Sequence, residues 1–194
     1  YHAEIVETDP LESSDGAFRA AREEAEGNPE AYFFPNQYHN EANWRAHYLS
    51  TGPEIWEQSN RRVSHFITGM GTSGTFTGVS RRLKAYDRGI RVIAVQPDSP
   101  LHGIEGTRHM ASTGVAGFYD PRLPDEVAPV STQAAYAMAR RLAREEGIYA
   151  GISAGANVAA ALSLAHRLPA GAVVVTILCD GGFRYVSEPF WGEG

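Results

Sequence analysis

The stretch Val63-Ser64-His65-Phe66-Ile67-Thr68-Gly69-Met70-Gly71-Thr72-Ser73-Gly74-Thr75-Phe76-Thr77-Gly78 reads as a buried strand, a glycine-rich turn and a helix that begins near Thr75. Such a turn aims several backbone N–H groups at one point beside the positive end of a helix dipole, which makes a phosphate site. Glycine permits positive φ and close approach of the backbone to the anion. Thr72, Ser73 and Thr75 add hydroxyl donors. A nucleoside triphosphate would require a lysine after the last glycine, whereas Gly74 is followed by Thr75 and Phe76. A dinucleotide fits better, because Gly69, Gly71 and Gly74 match G-x-G-x-x-G. The next strand, Arg91-Val92-Ile93-Ala94-Val95, ends in Gln96, however, where the acid for a ribose hydroxyl belongs, and Asp98 lies slightly beyond. A single phosphate monoester on a cofactor is the third reading; it suits a hydroxyl-rich turn that has no basic residue.

A second turn, Tyr149-Ala150-Gly151-Ile152-Ser153-Ala154-Gly155-Ala156-Asn157, has the same strand-to-helix character and leads into the small-residue run Val158–Leu162. With it come Asn36-Gln37-Tyr38, Asn40-Glu41-Ala42-Asn43, His47-Tyr48, Thr51-Gly52-Pro53-Glu54-Ile55-Trp56, Gly71-Thr72-Ser73-Gly74-Thr75 and Cys179-Asp180-Gly181-Gly182-Phe183-Arg184-Tyr185-Val186-Ser187. In this order the segments resemble those of fold-type II pyridoxal-phosphate (PLP) enzymes, and within them the cysteine synthase family. Ser73 stands where that family's phosphate loop has glycine. The resemblance runs from about Glu4 to Pro189.

The resemblance implies a PLP-dependent β-replacement that makes cysteine from an activated serine and a sulfide donor. Gly71, Thr72, Ser73, Gly74 and Thr75 would hold the cofactor phosphate, Ser153 would face the pyridine nitrogen, and Gln37 would sit near the substrate carboxylate. The rival roles, turn and N-cap residues for Thr72 and Thr75 and a helix cap for Ser153, are outweighed by the two glycine motifs in the family's order. The segment Leu101–Met110 corresponds to the entrance of the family's site. Its Arg108 suits the phosphate of O-phosphoserine, although O-acetylserine is the favoured substrate, and serine itself, as in cystathionine synthases, stays open. The family holds PLP on a lysine, and the one lysine here, Lys84, falls at the far end of the helix after the phosphate turn. About 13 Å of helix separates it from Thr75. The expectation is therefore a C-terminal portion that lacks the lysine-bearing N-terminal segment and is inactive alone. A lysine-less, non-catalytic paralogue and a nicotinamide-binding oxidoreductase are the alternatives. The implied partners are a second copy of the chain and a serine acetyltransferase.

Composition bounds these readings. The 194 residues carry a formal charge of −6 with no basic block, which argues against nucleic acid and anionic membranes as partners. The single Cys179 excludes an intrachain disulfide framework and suits a reducing cytoplasm; a small buried hydrophobe is its expected role. The histidines show no metal-ligand spacing, so no metal is expected.

Strands are expected at Ala3–Glu7, Ala31–Phe34, Arg62–Thr68, Arg91–Gln96 and Ala172–Leu178. Helices are expected at Gly16–Glu26, Glu41–Tyr48, Gly52–Ser59, Thr75–Tyr86, Ser131–Glu146 and Gly155–Arg167, with a long loop over Pro97–Val127. Helices alternating with strands apolar on both faces predict an α/β fold with a parallel sheet covered on both sides. Residues 1–30 are expected to end a smaller domain, with Asn28-Pro29 at the join, and residues 31–194 to form a large PLP-binding domain.

Overall fold

The structure, a computed structural model, describes residues 2–9, 12–112 and 117–192; parts of the expected Pro97–Val127 loop and of the expected 1–30 domain end lie outside these. The chain separates into two compact units, Tyr1–Asn40 and Glu41–Gly194. In the first, α1 (Ser13–Gly27) places Phe18 against Phe34 and Tyr38, with ring centroids 5.5 and 4.9 Å apart. The strands expected at Ala3–Glu7 and Ala31–Phe34 do not form. Their residues are β-prone, but a strand exists only when another strand takes up its backbone hydrogen bonds, and no such ladder is present among the described residues of this unit.

The second unit is built on four parallel strands in the order β3-β2-β1-β4. They are β1 (His65–Gly69), β2 (Arg91–Pro97), β3 (Glu126–Val130) and β4 (Val174–Thr176). β1 pairs with β2 from His65↔Arg91 to Gly69↔Val95, and with β4 from His65↔Val174 to Ile67↔Thr176. β3 begins in the last two residues of the expected loop and runs on to Val130, where no strand was expected. Its sequence, Glu-Val-Ala-Pro-Val, carries a charge and a proline, which argue against a strand read in isolation. Pro129 is tolerated because β3 is an edge strand, with β2 on one side only.

Side chains along the central strands alternate between two cores, as a period of two requires. Phe66, Val92 and Ala94 point to one face, where α4 (Gly74–Tyr86) contributes Phe76, Val79 and Leu83. Ile67, Ile93 and Val95 point to the other, beneath α5 (Thr132–Glu145) and α6 (Ile152–Ala165). Helix α5 starts where the Ser131 hydroxyl accepts the Ala134 N–H at 3.1 Å and ends at Gly147, which takes φ +69°. Helix α6 begins at Ile152, earlier than the expected Gly155, because Gly151 acts as the N-cap. Ser153 therefore sits inside the first turn.

Two short helices, α2 (Ala42–Leu49) and α3 (Thr51–Gln58), pack on α4. α2 approaches α4 at Gly74 and Gly78, one helical turn apart. A Cβ at Gly74 would overlap the Asn43 amide, and a Cβ at Gly78 would overlap the Trp44 carbonyl and crowd His47 and Tyr48. At the opposite end of α4, Lys84 donates to Asp125 at 2.8 Å, and Asp125 also accepts the Val92 N–H at 2.8 Å. Burial pushes the Asp125 carboxyl up, but these two donors outweigh it and hold it below its ordinary range.

Because the obstacle at Gly78 includes α2 backbone, which cannot move aside as a flexible side chain can, Gly78→Ala is expected to destabilise the protein by about 1–3 kcal/mol. Urea unfolding followed by circular dichroism measures this. A midpoint equal to that of the unsubstituted chain would show that α2 is free to lift.

Candidate active site

In an open parallel sheet, ligands bind beyond the carboxyl ends of the strands, where the chain leaves in opposite directions from neighbouring strands. Here that point lies between β1 and β4, since β1 leads through α4 to β2 on one side while β4 closes the other. Asn157, fully buried on α6, bridges it: its amide donates to the Ile177 carbonyl at 2.9 Å and to Thr68 Oγ1 at 3.4 Å. A cleft of about 410 Å³ opens above this bridge.

One wall is the turn from Gly71 to Thr75. Ser73 adopts φ +65°, the left-handed conformation, and serves as the N-cap of α4. Its hydroxyl is buried and has no hydrogen-bond partner among the described residues. Thr72 Oγ1 accepts the Gly74 N–H at 3.2 Å and the Asn43 amide at 3.1 Å, so the turn is tied to α2. Thr75 Oγ1 lies 3.2 Å from His47 Nε2, and His47 Nδ1 lies 3.0 Å from Thr51 Oγ1. Burial lowers the His47 pKa below the ordinary imidazole value, which favours the neutral ring. A β-carbon at Gly71 would strike the Gly106 carbonyl, so that turn can close only with glycine there.

The opposite wall carries Ser153, Cys179, Asp180 and Tyr185. Cys179 is not the buried hydrophobe expected of it; it is exposed and faces the cleft just past β4. The chain stops pairing after Thr176, which brings Cys179 out of the core. Desolvation of its sulfur raises its pKa despite a hydrogen bond from Ser153, which favours the thiol over the thiolate. Asp180 accepts from the Tyr185 hydroxyl at 2.7 Å and lies against Gly151.

The cleft thus gathers Gly71, Thr72, Ser73, Gly74, Thr75 and Ser153. Arg108 is not among its lining residues: its backbone N–H donates to the Met70 carbonyl at 2.8 Å, while Glu105 and Thr107 of the same segment do line it. Gln37 belongs to the first unit. Asn43, His47 and Thr51 escaped assignment as site residues although their motifs were visible, because nothing in a sequence shows which turn a helix will press against. Lys84 lies outside the cleft, ion-paired with Asp125. No group of His, Cys, Asp and Glu among the described residues could hold a metal ion, and no described helix is long and apolar enough to cross a membrane.

A cradle of neutral hydroxyl donors at a helix N-terminus, with a buried hydroxyl that lacks a partner, is a phosphate-binding arrangement inside an α/β sheet. Residues 1–180 match the family model of pyridoxal-phosphate dependent enzymes, and the chain belongs to that family. It is 43% identical to a cysteine synthase of Aquifex aeolicus, with 100% of this chain and 60% of that protein aligned. It is 38% identical to cysteine synthase B of Salmonella typhimurium, over 100% and 62% respectively. Among solved structures, O-ureido-L-serine synthase matches with a TM-score of 0.88 at 37% identity, covering 98% of this chain and 62% of that one. An O-acetylserine dependent cystathionine β-synthase from Helicobacter pylori matches with a TM-score of 0.90 at 32% identity, covering 98% and 63%. The chain spans about 60% of the length of the curated relatives it matches. The family's cofactor is pyridoxal phosphate, not a nicotinamide dinucleotide. The residues fit that group, since the orphaned Ser73 hydroxyl and the glycine-walled turn provide for a phosphate monoester.

The left-handed backbone costs a serine about 1–2 kcal/mol, partly offset in a glycine variant by about 0.5–1 kcal/mol of extra unfolded-state entropy. Ser73→Gly is accordingly expected to raise the melting temperature of the ligand-free chain by about 2–4 °C. It should also weaken binding of a phosphorylated ligand by roughly five-fold through loss of one hydrogen bond. Calorimetric melting and titration with pyridoxal phosphate test both. A lower melting temperature with unchanged affinity would contradict this account of Ser73.

Proposed function

We propose that this chain carries the phosphate and ring portion of the active site of an enzyme that replaces the β-substituent of an activated serine with a sulfur nucleophile. The observation that carries the reading is the pairing, across one cleft, of the Gly71–Thr75 cradle with the Ser153 hydroxyl and Cys179 thiol. When bound, the cofactor supplies an electron sink that lets an amino acid lose its α-proton and then its β-substituent. Gly71, Thr72, Ser73, Gly74 and Thr75 would hold its phosphate, and Ser153 with Cys179 would meet its ring nitrogen. A hydroxyl and a thiol donate a hydrogen bond without carrying the charge of a carboxylate. The nitrogen would thus stay unprotonated, a setting that favours β-elimination over transamination. The carboxylate on this wall, Asp180, accepts from Tyr185 through one oxygen and turns the other, which has no hydrogen-bond partner among the described residues, to Gly151.

O-acetylserine is the substrate this site favours, with sulfide as the donor. Glu105 on the rim opposes a second phosphate, and Arg108 stands off the lining. Gln37 is proposed to meet the substrate carboxylate, residues 1–30 to close a smaller domain, and the intact protein to work as a cytoplasmic homodimer. The lysine that forms the Schiff base is proposed to come from sequence beyond this chain, whose only lysine is held by Asp125.

Two measurements test this. The chain alone, mixed with pyridoxal phosphate and reduced with borohydride, is expected to show reversible binding and no covalent adduct in the cleft. A reduced adduct on Lys84 that supported elimination would defeat the proposal. In the intact protein, Arg108→Ala is expected to change kcat/KM for O-acetylserine and O-phosphoserine alike and by little. A ten- to hundred-fold loss confined to O-phosphoserine, the value of about 1.5–3 kcal/mol for a charge-assisted pair, would make phosphoserine the substrate instead.

A further inference from the structure

The Thr75 hydroxyl can serve a bound phosphate only if its hydrogen points into the cleft. Its neighbour His47 can face it in two ways. A neutral imidazole has one N–H donor and one bare acceptor nitrogen. If the hydrogen is on Nδ1, Nε2 is the acceptor, and it draws the Thr75 hydroxyl hydrogen toward itself, 3.2 Å away. The oxygen lone pairs of Thr75 then face the cleft and repel an anion. If the hydrogen is on Nε2, His47 donates to Thr75 Oγ1, and the threonine hydrogen is released for the ligand. Nδ1 is then the acceptor, and the Thr51 hydroxyl, 3.0 Å from it, supplies the donor. Thr51 and Thr75 both line the cleft, and His47 lies between them on α2, a turn beyond Asn43, which ties Thr72. One face of one helix thus reaches both threonines of the cradle.

We propose that His47 is a positioning residue that orients the cradle: its Nε2–H tautomer, which the Thr51 hydroxyl accommodates by donating to Nδ1, fixes the Thr75 hydroxyl as a donor to phosphate. This rests on reading the cleft as a cofactor-phosphate site. It adds that a phosphorylated ligand shifts the tautomer of His47, which lines the same cleft, through the Thr75 hydroxyl.

Pyridoxine 5′-phosphate and pyridoxine are suitable probes, because they differ only in the phosphate and carry no aldehyde to react with lysine. Nitrogen NMR on the chain with labelled histidine is expected to show His47 move to the Nε2–H tautomer on addition of pyridoxine 5′-phosphate and not of pyridoxine. His47→Gln, whose amide nitrogen occupies the place of Nε2, is expected to keep affinity for the phosphorylated probe within about three-fold. His47→Asn, whose amide reaches only the place of Nδ1, is expected to lose about ten-fold, the equivalent of one hydrogen bond of about 1.4 kcal/mol. Pyridoxine affinity should not change in either. An unaltered tautomer, or equal losses for both probes in both variants, would overturn the proposal, since a merely structural histidine would behave so. If the unsubstituted chain binds pyridoxine 5′-phosphate no better than pyridoxine, the phosphate reading itself fails and the positioning role falls with it. The tautomer measurement needs no substitution, so a variant that misfolds does not blunt the test.

Discussion

Helix α2 lies against α4 at Gly74 and Gly78, the two places one turn apart where α4 has no side chain, and the cleft depends on that approach. With any larger residue at either point the helices would separate by the width of a methyl group or more. Asn43 would then lose Thr72, and His47 would lose Thr75, because hydrogen bonds of 3.1 and 3.2 Å have no slack for such a shift. The glycines therefore serve in two ways. Gly74 opens the turn to a ligand and at the same time admits the amide that braces the turn from behind.

The cradle obtained this way is neutral. Its donors are backbone N–H groups and hydroxyls, and among the described residues no lysine or arginine lines the cleft, whereas Glu105 and Asp180 do. Attraction for a phosphate must come from the dipole of α4 and from aligned donors rather than from net charge. Such a site is selective for a ligand whose geometry satisfies every donor at once, and it pulls little on stray anions. The Ser73 hydroxyl, buried and without a partner among the described residues, fits this description.

The opposite wall works by the same economy of charge. Ser153 and Cys179 reach one another from different elements, the first turn of α6 and the segment after β4, and Asn157 holds those elements together from beneath. Neither group is a carboxylate, and desolvation of the Cys179 sulfur raises its pKa, which favours the thiol. The relatives are named for the synthesis of different compounds: cysteine, cystathionine and O-ureido-L-serine. The fold they share with this chain thus serves relatives of different names, and does not by itself choose among their activities.

The sequence by itself determined the order of helices in the larger unit, the parallel sheet and both cleft-forming turns. Glycine placement and apolar strands are local signals, and the ordered motifs around Gly71–Thr75 and Gly151–Gly155 carried the family. The tertiary structure decided the rest. The edge strand Glu126–Val130 exists because β2 offered it a partner, while the β-prone segments Ala3–Glu7 and Ala31–Phe34 found none. Cys179 reads as a core residue by composition and became a cleft residue because its strand stops pairing three residues earlier. His47 and Asn43 gained their roles from a helix packing 28 and 29 residues away in the chain. Propensity and periodicity reach only a few residues along the backbone, and a contact between distant segments is set by how whole elements pack, so these roles could not be read before the fold was known.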